Sequence, residues 1–140
     1  MRYLFDTCAF IDAVTDYERL DKHVRRLMED YTNLFYISQE TVREIILKYK
    51  NKNIWANIWS SAEDIIDSIQ NEYPFTILPV QEEHLRMYAR LIVNEAENHK
   101  DPSDHLIISH AITNKMPLIS RDRKFKFYIN QGLELIYYGK

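Results

Sequence analysis

Four acidic side chains, Asp6, Glu44, Asp104 and Asp122, have the residue types and placement to do chemistry together. Each also has a plain structural reading. Asp6 precedes Thr7 at the predicted start of a helix and suits an N-cap. Glu44 fits a capping-box spacing from Thr41 and an i,i+4 pairing with Lys48. Asp101 is a natural cap before Pro102, which puts Asp104 in a first helical turn, where negative charge suits the helix dipole. Asp122 suits the cap of a turn. Gathered in one place, however, four carboxylates repel one another, and their pKa values rise unless cations compensate. Mg²⁺ and Mn²⁺ are the ordinary compensation, because they take oxygen ligands and keep several waters. Such a site activates water for in-line attack on a phosphodiester and stabilises the leaving oxygen.

The elements that must gather these residues alternate along the chain. Short β-prone runs predict strands over residues 2–5, 34–37, 76–78, 118–120 and 134–137. Helical spacing predicts helices over 7–14, 18–31, 38–50, 54–72, 81–98 and 102–114. In the second, Leu20, Val24, Leu27, Met28 and Tyr31 form the apolar stripe; in the fifth, Leu85, Tyr88, Ala89, Ile92 and Ala96 do. Strands separated by helices imply crossover connections and a parallel sheet covered on both faces. Ligands of such sheets bind beyond the carboxyl ends of the strands. Asp6 ends the first strand and Asp122 follows the fourth, while Glu44 and Asp104 lie in helices that follow strands, so one sheet edge is expected to collect all four.

Bulk properties narrow the field. The 140 residues, 46% hydrophobic and 28% charged, suit a single globular domain over 1–140. No apolar run reaches the roughly 18 residues of a membrane span, and no signal peptide is evident, so a cytoplasmic location is expected. The lone Cys8 excludes an intrachain disulfide and a thiolate metal cage; it is expected as a small buried hydrophobe. With only Gly132 and Gly139, there is no glycine-rich phosphate loop. His23, His84, His99, His105 and His110 contain no HExxH pattern, and no histidine metal site is expected. The net charge of −3 runs against nucleic-acid binding, although Lys48, Lys50 and Lys52 cluster, as do Arg121, Arg123, Lys124 and Lys126. Trp55, Ile58, Trp59, Ala62, Ile65, Ile66 and Ile69 recur at helical intervals, a face broad enough for a partner as well as a core.

At these residues the sequence resembles the PIN-domain nucleases, and among them the VapC-type toxins of toxin–antitoxin pairs. Tyr3-Leu4-Phe5-Asp6-Thr7 is similar to the family's opening strand ending in Asp-Thr. The stretch from Ile37 through Ser38 and Glu44-Ile45 to Lys48 resembles its second strand and following helix. His99-Lys100-Asp101-Pro102-Ser103-Asp104 resembles the His-basic-Asp-Pro-x-Asp stretch of one VapC branch, and Pro117-Leu118-Ile119-Ser120-Arg121-Asp122 matches the last strand and acid.

The resemblance implies an α/β fold: a PIN-like sandwich with a central, mostly parallel sheet flanked by helices. It implies a Mg²⁺- or Mn²⁺-dependent endoribonuclease with Asp6, Glu44, Asp104 and Asp122 as catalytic metal ligands and Asp101 as a competing ligand or a cap. Thr7 or Ser120 would support the site, and Arg121, Arg123 and Lys124 would hold RNA phosphates. An antitoxin protein and a second copy of the chain are the implied partners. Two other readings stay open. A Mg²⁺-dependent phosphatase or receiver is disfavoured because Cys8 stands where the phosphatase signature needs an aspartate, and because a receiver needs an acidic pair where only Asp6 is found. A non-catalytic binding module is disfavoured by the intact set of acids.

Overall fold

The computed structural model describes every residue except 53 and 140. Five strands, β1 (Arg2–Phe5), β2 (Leu34–Ser38), β3 (Thr76–Leu78), β4 (Leu118–Ser120) and β5 (Leu135–Tyr137), form one sheet in the order β3-β2-β1-β4-β5. All four pairings are parallel. Among the described residues six α-helices cover the sheet: α1 (Thr7–Thr15), α2 (Lys22–Glu29), α3 (Gln39–Lys52), α4 (Ala62–Asn71), α5 (Glu82–Arg90) and α6 (Pro102–Asn114). Two 3₁₀ segments, Tyr17–Arg19 and Arg123–Gln131, complete the helical structure. The expected α/β sandwich is therefore present, with a fully parallel sheet.

Strand alternation sends successive residues to opposite faces. On one face Tyr3, Phe5, Phe35, Ile37 and Ile119 meet Phe10 of α1, Val24 of α2, Ile45 of α3 and Ile65 and Ile69 of α4. Phe5 lies edge-on to Phe35 and Phe75, at 5.9 and 5.0 Å between ring centroids. Replacing Phe5 with alanine would empty the middle of this layer, a change that typically costs about 3–5 kcal/mol. On the other face Leu4 and Leu118 meet Ile107, Ile108 and Ala111 of α6, with Phe125 and Tyr128 of the second 3₁₀ segment. Among the described residues, no helix is long and apolar enough to cross a membrane.

Three predicted helices are shorter than expected, each for a local reason. The 18–31 helix becomes the first 3₁₀ segment, an extended Leu20, and α2. It ends where the Asp30 carboxylate accepts bonds from the Thr32 amide at 3.0 Å and hydroxyl at 2.7 Å, a turn that competes with helix; Tyr31 is left 94% exposed. The 54–72 helix is only α4. Trp55 adopts a left-handed φ of 69°, and Ser61 starts the helix by accepting the Asp64 amide at 3.0 Å. Trp59, Ile65 and Ile69 are buried, so the face expected to serve a partner is largely core. The 81–98 helix stops at Arg90. Beyond it Gln131 holds both backbone groups of Ile92 at 2.9 Å, and the Tyr128 hydroxyl holds the Asn94 amide at 3.0 Å.

Candidate metal centre

β1 is the point where the chain reverses direction across the sheet, since β2 lies on one side of it and β4 on the other. In doubly wound sheets the crevice at such a point is where ligands bind. Leu4 pairs with Leu118 and Phe5 with Ile119, so the next pair in register is Asp6 with Ser120. The Asp6 amide donates to Ile119 O at 3.1 Å, and the Ser120 hydroxyl donates to Asp6 Oδ2 at 2.6 Å. The other carboxylate oxygen, Oδ1, accepts the Ala9 amide at 2.8 Å as the N-cap of α1. The capping reading is thus correct and sits alongside a second fact: Asp6 faces other carboxylates. Burial pushes its carboxyl up to about 7; the bonds from Ser120 and Ala9 oppose the rise, and the charges of Asp104 and Asp122 add to it.

Ser120 is buried and joins two acids with one hydroxyl: while donating to Asp6 it accepts the Asp122 amide at 3.0 Å. Asp122 then caps the second 3₁₀ segment through the Lys124 amide, at 2.9 Å. Asp104 enters from the first turn of α6, one turn after the cap that Asp101 makes to the Ser103 amide at 2.9 Å. Burial also raises the Asp104 carboxyl, against the bond from His99. A second tie seats this turn: Ser103 Oγ donates at 2.6 Å to the buried Glu40 of α3, whose carboxylate also binds Arg43 Nε at 2.9 Å. The structure therefore brings Asp6, Asp104 and Asp122 into one electrostatic group and places Asp101 as a helix cap.

Glu44 joins by different contacts. It is buried in α3, accepts the Thr7 hydroxyl at 2.6 Å, and pairs with Lys48 at 3.3 Å. Thr7 adjoins Asp6, so α3 is tied to the end of β1 next to the cluster. Of the basic residues, Arg121 donates to the buried Asp12 at 2.8 Å, Arg123 lies 3.8 Å from Glu97, and Lys126 lies over the Tyr137 ring. Cys8 is exposed, correcting the expectation of a buried thiol: α1 turns this position outward while Thr7 and Ala9 are buried.

The sequence reading named His99 within the stretch ending in Asp104 but expected no histidine at a metal site. His99 Nε2 lies 2.9 Å from Asp104 Oδ2, and His99, Asp104 and Asp122 each offer an atom within 4.8 Å of the others. The available signal was the spacing of five residues to Asp104 across a Pro-started helix, which folds the preceding loop back over the first turn. The donor set fits a hard divalent cation: carboxylate oxygens dominate, two of the carboxyls are raised by burial, and no thiolate joins the group that could hold a metal among the described residues.

Residues 3–128 match the PIN domain family. The chain belongs to the PIN domain family. The PIN-domain resemblance read from the sequence is borne out by this match, and the fold agrees with it. VapBC2 from Rickettsia felis, solved bound to a DNA fragment from its promoter, superposes with a TM-score of 0.73 at 19% identity, covering 99% of this chain and 100% of that one. VapBC-5 of Mycobacterium tuberculosis, of the VapBC family of toxin–antitoxin systems, gives 0.60 at 20% identity over 98% of each chain. FitAcB of Neisseria gonorrhoeae gives 0.64 at 20% identity, covering 97% and 96%. No curated protein matches the chain significantly. The PIN domain described here thus shares its fold over its whole length with these structures.

Proposed function

We propose that this PIN domain, acting as one unit over residues 1–140, is a metal-dependent endoribonuclease and the toxin of a toxin–antitoxin pair. The observation that carries the reading is the buried Asp6 carboxyl at the end of β1, raised to about 7 with Asp104 and Asp122 adding to the rise and, among the described residues, no cationic side chain hydrogen-bonded to it. Asp6, Asp104 and Asp122 would hold Mg²⁺ or Mn²⁺, with Glu44 completing the set from α3. When bound, the ion supplies charge neutralisation at the phosphodiester and an activated water.

The chain's own residues do the rest. Ser120 fixes the relative placement of Asp6 and Asp122, and Thr7 orients Glu44. Lys48 balances part of the Glu44 charge from the next turn of α3. Arg123, exposed and only loosely paired with Glu97, follows Asp122 directly and is available to meet an RNA phosphate. Arg121 and Lys124 flank it in the segment after β4, with Arg121 turned toward Asp12.

An antitoxin is the proposed protein partner, by analogy with the toxin–antitoxin structures that share the fold. A largely apolar groove of about 760 Å³ supports a protein partner; Val42, Ile46, Ile66, Ile77, Val80 and Leu106 line it. Exposed Leu85, Tyr88 and Ile92 provide an apolar surface for a second copy. The cytoplasm is the proposed location, where the RNA substrate would be met.

The test is cleavage of total cellular RNA by purified protein with Mn²⁺ or Mg²⁺, with EDTA, and with Asp104→Asn. Discrete fragments that disappear with EDTA and with the variant are expected. Cleavage that persists in both would contradict the assignment.

A further inference from the structure

His99 is 3% exposed and spends both ring nitrogens: Nδ1 lies 2.9 Å from the Tyr128 hydroxyl, and Nε2 lies 2.9 Å from Asp104 Oδ2. The positions of the protons follow from counting donors. Tyr128 is fully buried, and its oxygen already accepts the Asn94 amide at 3.0 Å. The hydroxyl has one proton, and His99 Nδ1 is its only acceptor among the described contacts. A proton on Nδ1 would leave the buried phenolic hydrogen without a partner, at a cost of about 1–3 kcal/mol. Tyr128 therefore donates to an unprotonated Nδ1. The ring proton sits on Nε2 and points at Asp104.

A nitrogen that carries a proton is not a metal ligand. Proximity alone would make His99 a third ligand beside Asp104 and Asp122, and the hydrogen-bond chain excludes that. The ring is further fixed by Phe125, with centroids 5.3 Å apart, and its backbone carbonyl accepts His105 Nε2 at 2.8 Å. Asn94, at the head of the chain, is itself held by the Glu97 amide and by Lys124 O. The loop 91–99 and the 3₁₀ segment after β4 thus converge on one imidazole proton.

We infer that His99 is a positioning residue: its Nε2–H, set by Tyr128, clamps Oδ2 of Asp104 and leaves Oδ1, which has no hydrogen-bond partner among the described residues, for a cation. This rests on the reading of Asp104 as a metal ligand. Groups that hold a ligand by its far atom set metal affinity, and their loss typically costs about 10–100-fold.

The experiment has two arms. Long-range ¹⁵N–¹H NMR of the histidines in the wild-type protein is expected to show His99 protonated at Nε2 and bare at Nδ1; a proton on Nδ1 overturns the inference, whatever the variants do. Mn²⁺ titration then compares wild type, Asp104→Asn, His99→Leu and His99→Gln, each checked for an intact fold by circular dichroism. The Gln amide can donate from near the position of Nε2, so His99→Gln is expected to bind within a few-fold of wild type, while His99→Leu loses roughly 10–100-fold. Equal losses in Gln and Leu would mean ligation rather than positioning, and wild-type affinity in His99→Leu would also overturn the inference. Should the wild type bind no Mn²⁺, or Asp104→Asn bind it unchanged, the metal reading itself fails, an outcome separate from either of those.

Discussion

Asp6 and Asp12 stand six residues apart on α1 and its cap, and both are buried, at 3% and 2% exposure. Their surroundings are opposite. Asp12 Oδ2 takes Arg121 Nε at 2.8 Å and the Tyr138 hydroxyl at 2.6 Å, with Arg19 at 3.8 Å from the other oxygen. Its charge is balanced within the chain. Among the described residues Asp6 takes only a neutral hydroxyl and a backbone amide, and it feels the charges of two further carboxylates. A buried carboxylate with its cation supplied by the fold ties elements together. One left among carboxylates is a candidate site for a cation from outside.

The largest difference should appear on removing each acid. Asp12→Ala strands the buried Tyr138 hydroxyl and frees Arg121, whose side chain is 41% exposed, and is expected to cost about 1–3 kcal/mol in denaturant unfolding, with or without divalent cation. Asp6→Asn keeps an acceptor for the Ala9 amide and removes the buried charge, so stability in EDTA at pH 7 should rise above wild type. Equal destabilisation by the two would erase the distinction.

The same contrast shows in the pH dependence in EDTA. The Asp6 carboxyl is raised in the folded state from 3.8 to about 7, so the folded protein binds the proton more tightly than the unfolded chain. The linkage sign is then the reverse of the usual aspartate. Stability is fullest below about 4 and declines as pH rises through about 7, by roughly 4 kcal/mol at most from this group. Melting temperature against pH should show that decline in wild type and a flatter profile in Asp6→Asn; a rise over the same range in wild type would break the account.

The smallest effect concerns the basic residues. Arg123→Ala removes an exposed pair at 3.8 Å and should change stability by less than about 0.5 kcal/mol while weakening RNA binding. Arg121→Ala, which leaves Asp12 short of its cation, should destabilise more. The reverse order in a thermal melt would place Arg121 outside the Asp12 tie.

Much of this fold was legible because strand and cap signals are local. The bounds of β1, β3, β4 and α6 follow from short β-branched and apolar runs and from Asp101-Pro102. The overlong helices arise because helical periodicity does not stop where a distant group captures the backbone: Gln131 at Ile92 and Tyr128 at Asn94 are contacts of 39 and 34 residues' separation. For the candidate site, the placement of Asp6, Asp104 and Asp122 toward one sheet edge was legible, since a parallel sheet brings its carboxyl edge together whatever the side chains do. His99 was not, because its meaning depends on Tyr128, 29 residues away, and on a proton that sequence spacing does not place.

The most direct test of the central claim, that Asp6, Asp104 and Asp122 form a divalent-cation site, is calorimetric titration of Mn²⁺ at pH 7 in two buffers of different ionisation enthalpy. With the Asp6 carboxyl at about 7, binding should release about half a proton in the wild type and should vanish in Asp104→Asn. Binding with no proton release, or binding unchanged in Asp104→Asn, would contradict the site as drawn.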